Sequence, residues 1–156
     1  MKKFQQLIDD CLESVDEIFP WDLIDLLEQP QPPLLVDVRE PYEFNVASIK
    51  NALNVPRGIL ETACEYNFEE TIPNLVEARQ QAVIVVCRSG NRSALAAHVM
   101  QTMGYQNIKS LKTGLRGWND DEYPLYNLKN ERVDLTVSDA LFATNVRKDQ
   151  LEPQLR

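Results

Sequence analysis

Apolar residues recur along this chain at two spacings, one suited to helices and one to strands. Between residues 3 and 15, Phe4, Leu7, Ile8, Cys11, Leu12 and Val15 fall at helical spacing and predict an amphipathic helix. The run EIF (17–19) reads as a short edge strand, and PWDLIDLLEQ (20–29) as a helix with Pro20 in its first turn. QPQPP (29–33) cannot continue that helix. LLVDV (34–38) suits a strand covered on both faces. A helical turn at EPYEF (40–44) and a second strand near NALNV (51–55) follow, and residues 59–81 read as one or two helices broken at Pro73. The β-branched density of AVIVVC (82–87) marks a central strand. Residues 92–103 predict a helix closed by Gly104, NIKSL (107–111) a strand, and GLRGWND (114–120) a turn and short helix. Further on, RVDLTV (132–137) alternates like a strand, and residues 138–154 are compatible with a helix. The tail is therefore either a packed extension or a flexible one. Strands alternating with helices predict an α/β fold with a central, largely parallel sheet flanked by helices.

Composition narrows the function classes. A chain of 156 residues is long enough for one domain with a proper core. No apolar run reaches the length of a bilayer span, and the N-terminus turns acidic at Asp9 and Asp10, unlike a signal peptide, so a cytoplasmic protein is expected. Cys11, Cys64 and Cys87 are widely spaced and His98 is the sole histidine, which argues against a disulfide framework or a zinc cluster. No metal and no cofactor are expected. A net charge of -8 disfavours nucleic acid and anionic membranes as partners. The charge is uneven, however. From Ala78 to Asn119 there is no acidic residue, while Arg79, Arg88, Arg92, Lys109, Lys112 and Arg116 are basic.

Within that basic window, Cys87 ends the predicted central strand and RSGNR leads into a helix. Open α/β sheets bind ligands at the carboxyl ends of their strands. A helix N-terminus offers unpaired N–H groups and a positive dipole end, which with nearby arginines favour a thiolate or a small anion. Gly90 allows the loop to bend so that successive amides point inward. A structural core thiol would account for Cys87 but not for an arginine on each side of the turn. Elsewhere, His98 reads as a satisfied helix histidine, Trp118 as core or pocket wall, Gly114 and Gly117 as turn positions, and Cys11 as core. Cys64 reads as a helix residue, and as a relay thiol only if it is exposed near the loop.

The segments DVREPYEF (37–44), NALNVP (51–56), CRSGNRSALAA (87–97), GY (104–105) and LKTGLRGW followed by YPL (111–125) resemble, in order and spacing, a single-domain rhodanese. The resemblance runs from Ile18 to Leu125, leaving extensions at 1–17 and 126–156. It implies a rhodanese-like sulfurtransferase carrying a persulfide on Cys87, with the loop amides of Arg88, Ser89, Gly90, Asn91, Arg92 and Ser93 around the terminal sulfur. Arg88 and Arg92 would help hold a small sulfur-containing anion such as thiosulfate or a polysulfide. Cyanide, a thiol or a protein would accept the sulfur. Asp37 and Arg39 would support the loop by ion pairing. One departure lies at ASIKNA (47–52), where Ser48 replaces the usual histidine and Ala47 and Asn51 replace glycines, in a stretch that shapes the rim of the site. Loop length separates this chemistry from the C-x5-R loop of thiol phosphatases, because Arg92 follows Cys87 by five positions and the tighter loop suits a single sulfur. The alternative is a persulfide carrier or interaction module working only with a protein partner, which the terminal extensions motivate. A thiol phosphatase or arsenate reductase ranks behind both.

Overall fold

The computed structural model describes all 156 residues. The chain runs α1 (Phe4–Leu12), β1 (Asp16–Ile18), α2 (Pro20–Leu27), β2 (Leu34–Asp37), α3 (Pro41–Val46), β3 (Leu53–Asn54), α4 (Leu60–Ala63), α5 (Pro73–Val76), β4 (Ala82–Val86), α6 (Asn91–Thr102), β5 (Asn107–Leu111), α7 (Gly114–Asp120) and α8 (Leu135–Phe142). The five strands form one sheet in the order β1-β5-β4-β2-β3, and every pairing is parallel. The α/β architecture and the central place of β4 are as the residue pattern predicts. No helix is long and apolar enough to cross a membrane.

Parallel strands need helices on both faces, and successive strand residues serve opposite faces. In β4, Val83 and Val85 join the core beneath α6, with Ala96, Ala97, Met100, Leu60 and Leu75. Ile84 and Val86 join the other core, with Leu23, Leu115, Trp118, Leu125 and Phe142. Phe142 belongs to α8, so the C-terminal extension is packed as far as that residue. Beyond it the chain is mostly exposed, with two isolated 3-10 turns at Lys148–Gln150 and Pro153–Leu155.

Two sequence expectations need correction. Residues 132–137 form no strand: single bridges join Ser48 to Tyr126 and Tyr126 to Arg132, and α8 begins at Leu135. The apolar positions of that alternation do not share a buried face, since Val133 packs on the core while Leu135 and Val137 are exposed. The helix expected over 138–154 is confined to α8. Between 59 and 81 the chain is less helical than its pattern suggests. Asn67 adopts a left-handed conformation (φ 76°), and the Thr71 hydroxyl donates to the Glu65 carbonyl and accepts from the Phe68 N–H. That local network competes with helix, which resumes only at Pro73.

One buried ion pair joins the sheet to the segment leading into α3. Asp37 ends β2, and its carboxylate accepts from the Arg39 backbone N–H (3.1 Å), Nε (3.0 Å) and Nη2 (2.8 Å), with both side chains fully buried. Arg39 Nη2 also donates to the Ala47 carbonyl (2.8 Å), and Asn54 donates to the Asp37 and Arg39 carbonyls. Removing one partner strands the other charge in the core. Asp37→Ala is predicted to cost about 3–5 kcal/mol of stability, read from urea denaturation.

Candidate functional site

Cys87 follows β4 directly, and the chain reverses within three residues to start α6. Gly90 makes the reversal possible: its φ is +92°, and a Cβ there would meet the Leu111 carbonyl oxygen at 3.2 Å and the Thr113 nitrogen at 3.3 Å. The Cys87 sulfur is buried (1% exposed) and accepts from the Gly90 N–H (3.1 Å) and the Ser93 N–H (3.3 Å). The thiol also lies 3.3 Å from Ser93 Oγ as a donor, and that hydroxyl is bonded to Ser110 Oγ of β5 at 2.7 Å. The amides of Arg88, Ser89, Asn91 and Arg92 have no acceptor within the protein. Those four donors and the two on the sulfur lie in one six-residue turn. Such a turn can receive further negative charge beside Cys87.

What aims the turn is α7. The Leu115 N–H donates to the Cys87 carbonyl (2.8 Å) and the Arg116 N–H to the Arg88 carbonyl (2.9 Å). In a trans peptide the N–H points opposite to its carbonyl, so these bonds direct the Arg88 and Ser89 amides away from α7. The approach is close enough to require glycine at 114. A Cβ there would lie 2.6 Å from the Cys87 and Arg88 carbonyl oxygens, and φ is +62°. Gly117, expected at a turn, lies instead inside α7, where a side chain would collide with Thr113.

Both arginines beside the turn make hydrogen bonds to other elements of the fold. Arg92 grips Glu43 of α3 with two bonds, Nη1 to Oε2 at 2.8 Å and Nη2 to Oε1 at 2.9 Å. Burial pushes the Glu43 carboxyl up, but the bonds from Arg92 and from the Glu40 amide, with the charges of Arg92 and Arg39, outweigh it and hold it below the ordinary carboxylate range. The same pair, through the Glu43 hydrogen bond first, raises Arg92. Arg88 reaches the other way, donating from Nη2 to the carbonyls of Phe142 (2.8 Å) and Ala143 (3.1 Å) at the C-terminus of α8. Arg116 donates to the Thr144 hydroxyl (3.2 Å).

The remaining candidates fall outside the turn. His98 Nδ1 is bonded to Ser14 Oγ (3.2 Å), joining α6 to the end of α1. Trp118 is core, and its Nε1 donates to the Pro124 carbonyl (3.0 Å). Cys11 is buried. Cys64 is fully buried under Tyr105 and Arg79, so the exposure a relay thiol would need is absent, and burial pushes its thiol up. In the 47–52 stretch, Ala47 is buried over Arg39, Ser48 exchanges two backbone bonds with Tyr126 of the extension, and Asn51 has φ 65°, a conformation asparagine tolerates better than most residues. Three contributors were missed from sequence. Glu43 sits in the quoted DVREPYEF segment, three residues after Glu40 at a helix start, a spacing that marks the helix but not its ion pair. Ser110 and the α8 carbonyls carry no sequence signal.

An all-parallel α/β sheet with a buried cysteine in an amide-lined turn after its central strand defines the class. Comparison with known proteins gives the family: the rhodanese-like domain matches residues 20–121, and the chain belongs to that family. It is 33% identical over 107 residues to an adenylyltransferase and sulfurtransferase (MOCS3-2) of Zea mays, covering 65% of this chain and 21% of that protein. It is 34% identical over 90 residues to a putative mitochondrial thiosulfate sulfurtransferase of Schizosaccharomyces pombe, covering 56% of this chain and 63% of that one. The chain thus spans about a fifth of the first relative's length. Among solved structures, a Rhodopseudomonas palustris protein of unknown function, described as a possible tyrosine phosphatase, superposes with a TM-score of 0.73 at 25% identity, over 80% of this chain and 95% of that one. The Zea mays and Schizosaccharomyces pombe relatives both carry the name sulfurtransferase.

The Glu43–Arg92 pair predicts a pH signature. A carboxyl held lower in the folded than in the unfolded state adds stability above its unfolded pKa, and that stability is lost as pH falls through the folded value. Glu43→Gln is therefore expected to be less stable than the native protein at neutral pH and to lose less on acidification. Urea midpoints measured from neutral pH down through the carboxylate range check this.

Proposed function

We propose that the protein is a sulfurtransferase that carries sulfane sulfur as a persulfide on Cys87. The observation that carries the reading is the set of backbone donors in one turn, two on Sγ and four with no protein acceptor. In the first half-reaction the Cys87 thiolate attacks the outer sulfur of thiosulfate or a polysulfide. A Cys87–sulfur bond forms, the donor's S–S bond breaks, and sulfite or the shortened polysulfide leaves with the electron pair. In the second, cyanide or an acceptor thiolate attacks the outer sulfur, and the Cys87 thiolate is released. The persulfide's terminal anion would sit among the Arg88, Ser89, Asn91 and Arg92 amides, fixed donors that need no reorganisation as charge moves. The side chains of Arg88 and Arg92 are placed one step back, through Glu43 and α8. Asp37 and Arg39 support α3, from which Glu43 projects. The acceptor is a small nucleophile or a thiol, protein-borne thiols included.

Two half-reactions predict ping-pong kinetics. Cys87→Ser should abolish transfer between thiosulfate and cyanide, and intact-mass analysis after donor treatment should show one reducible sulfur atom on the native chain and none on the variant. Transfer that survives in Cys87→Ser would overturn the reading.

The description of the R. palustris neighbour raises phosphate chemistry. A phosphoryl group would need donors spread over three oxygens, whereas this six-residue turn already places two of its amides on the sulfur itself. No hydrolysis of p-nitrophenyl phosphate is expected from the native protein. Cys87-dependent hydrolysis exceeding its sulfur transfer would reverse the assignment.

A further inference from the structure

Five residues other than glycine adopt positive φ, and three of them, Asn51, Asn67 and Asn130, are asparagines, which tolerate that conformation. Thr113 is the β-branched member of the set, at φ 65°, where its side chain crowds the backbone. The usual compensations are missing. It immediately precedes α7, yet its hydroxyl makes no capping bond, because a threonine caps from an extended backbone and not from a left-handed one. The residue is exposed, so burial does not hold it there either. Gly117, one turn further on, adds a second cost, since glycine weakens a helix interior. A Cβ at 117 would collide with the Thr113 hydroxyl and approach the Thr113 Cβ to 2.6 Å, and the three atoms nearest to it all belong to Thr113. The helix thus gives up a side chain at 117 and admits the hydroxyl of 113 in its place.

Two residues that each cost stability meet at one point, and that point adjoins the reactive turn. The Thr113 nitrogen lies against Gly90, where an added Cβ would meet it at 3.3 Å. Thr113 and Gly117 both line a cleft of about 510 Å³ that takes in Ser89, two residues from Cys87, with Trp21 on its wall. That volume suits an organic molecule and far exceeds what cyanide fills. Arg116, Asp120 and Asp121 line the rest with both signs of charge, so charge alone selects no occupant. The Thr113 hydroxyl, uncommitted to the helix end, is a neutral donor in the same wall. Strain that neither a cap nor burial offsets collects where a site needs a group in one place.

We propose that Thr113 selects among sulfur acceptors: its hydroxyl, seated over Gly117, donates a hydrogen bond to a carbonyl oxygen of an organic thiol lying in the cleft. This rests on the sulfurtransferase reading above and adds to it a residue that touches the acceptor. The step served is Cys87–S–S⁻ + R–SH → Cys87–S⁻ + R–S–SH. The proton of R–SH passes to the transferred sulfur, the acceptor's sulfur pair makes the new S–S bond, and the old S–S pair leaves on the Cys87 sulfur. A thiol held at a second point is kept in line with the bond that breaks, and Thr113 provides that point. Cyanide has no carbonyl to offer and gains nothing from it.

The test compares two acceptors on the loaded protein. Cys87 is loaded from thiosulfate or polysulfide, the added sulfur is read by intact mass, and its loss is timed with glutathione, which carries peptide carbonyls, and with cyanide. Thr113→Gly should lower the glutathione-to-cyanide rate ratio about fivefold, the worth of one neutral hydrogen bond. Thr113→Ser keeps the hydroxyl and should hold the native ratio. Thr113→Gly combined with Gly117→Ala relieves the left-handed threonine, clears the space the new Cβ needs and restores a helix former. That double variant should unfold at higher urea than the native protein and still show the lowered ratio. A folded Thr113→Gly protein with an unaltered ratio overturns the role of Thr113, and a ratio lowered as far in Thr113→Ser overturns the hydrogen bond. A double variant less stable than the native protein overturns the strain on which the proposal stands. Failure of the native protein to load at all overturns the sulfurtransferase reading itself, and that measurement involves no variant.

Discussion

Two hydrogen bonds from the first turn of α7 hold the site in its shape. The carbonyls of Cys87 and Arg88 would otherwise compete for the same space as the amides that follow them, and a turn with carbonyls facing inward repels anions. Leu115 and Arg116 draw those oxygens to the outside. The planarity of the peptide then turns the Arg88 and Ser89 N–H groups the other way, without any side chain taking part. The close approach demands that residue 114 lack a Cβ, and Thr113 just before it adopts φ 65° to bring α7 in. Strain of that kind, of order 1–3 kcal/mol per residue, persists only where surrounding packing fixes it. Here Leu115 and Trp118 supply that packing in the core shared with β4. The arrangement of amides in the loop is thus a property of two segments some 25 residues apart in sequence (Cys87–Ser93 and Thr113–Arg116).

The charges around the loop follow a different logic from its amides. In the sequence, the stretch from Ala78 to Asn119 is purely basic and reads as a positive cradle. In the folded chain, partners come from far outside that stretch: a carboxylate from α3 for Arg92 and helix-end carbonyls from α8 for Arg88. Local composition cannot reveal such neutralisation, because tertiary contacts match charges across the whole fold. The basic window still has a physical meaning. Arg92 ties α3 to the loop, Arg88 ties the end of α8 to it, and Arg116 ties Thr144, just past α8, to α7, so these three brace the surroundings of Cys87. Arg79 does the same on the opposite side of the sheet, bonding the Cys64 and Met103 carbonyls and stacking 4.7 Å over the Tyr105 ring.

The parts of the fold that were legible in sequence are those where one physical requirement dominates. β4 is buried on both faces, so its Val and Ile residues leave no ambiguity, and the glycine at 90 has no substitute at φ +92°. The cysteine at the strand end and the helix start after it follow from these. Where several weak preferences compete, the pattern misleads. The alternation of Val133, Leu135 and Val137 mimics a strand, but one residue packs inward and two face solvent as α8 turns. The Gly117 position resembles a turn and is a packing requirement instead, since Thr113 occupies the space a side chain would need. The Glu43–Arg92 pair spans 49 positions and has no local signature at all. Pairwise contacts of this range shape the surroundings of the turn, and a single sequence does not display them.

The division between backbone and side chains has a consequence for how such a loop can vary. Amides are supplied by almost every residue, so a set of backbone donors survives most substitutions that keep the turn and its length. The side chains at its edge decide which donor or acceptor approaches, and their effect depends on what each is bonded to. An arginine beside the cysteine is an oxyanion receptor when unengaged and a structural clamp when a carboxylate or helix end already fills its fork. In this chain the C-terminal extension reaches the same side chains. It lies beyond the matched domain region of 20–121, yet its helix end accepts from Arg88, its Thr144 accepts from Arg116, and its Phe142 packs in the core. An extension that accepts hydrogen bonds from two arginines at the edge of the turn is part of the electrostatics around Cys87.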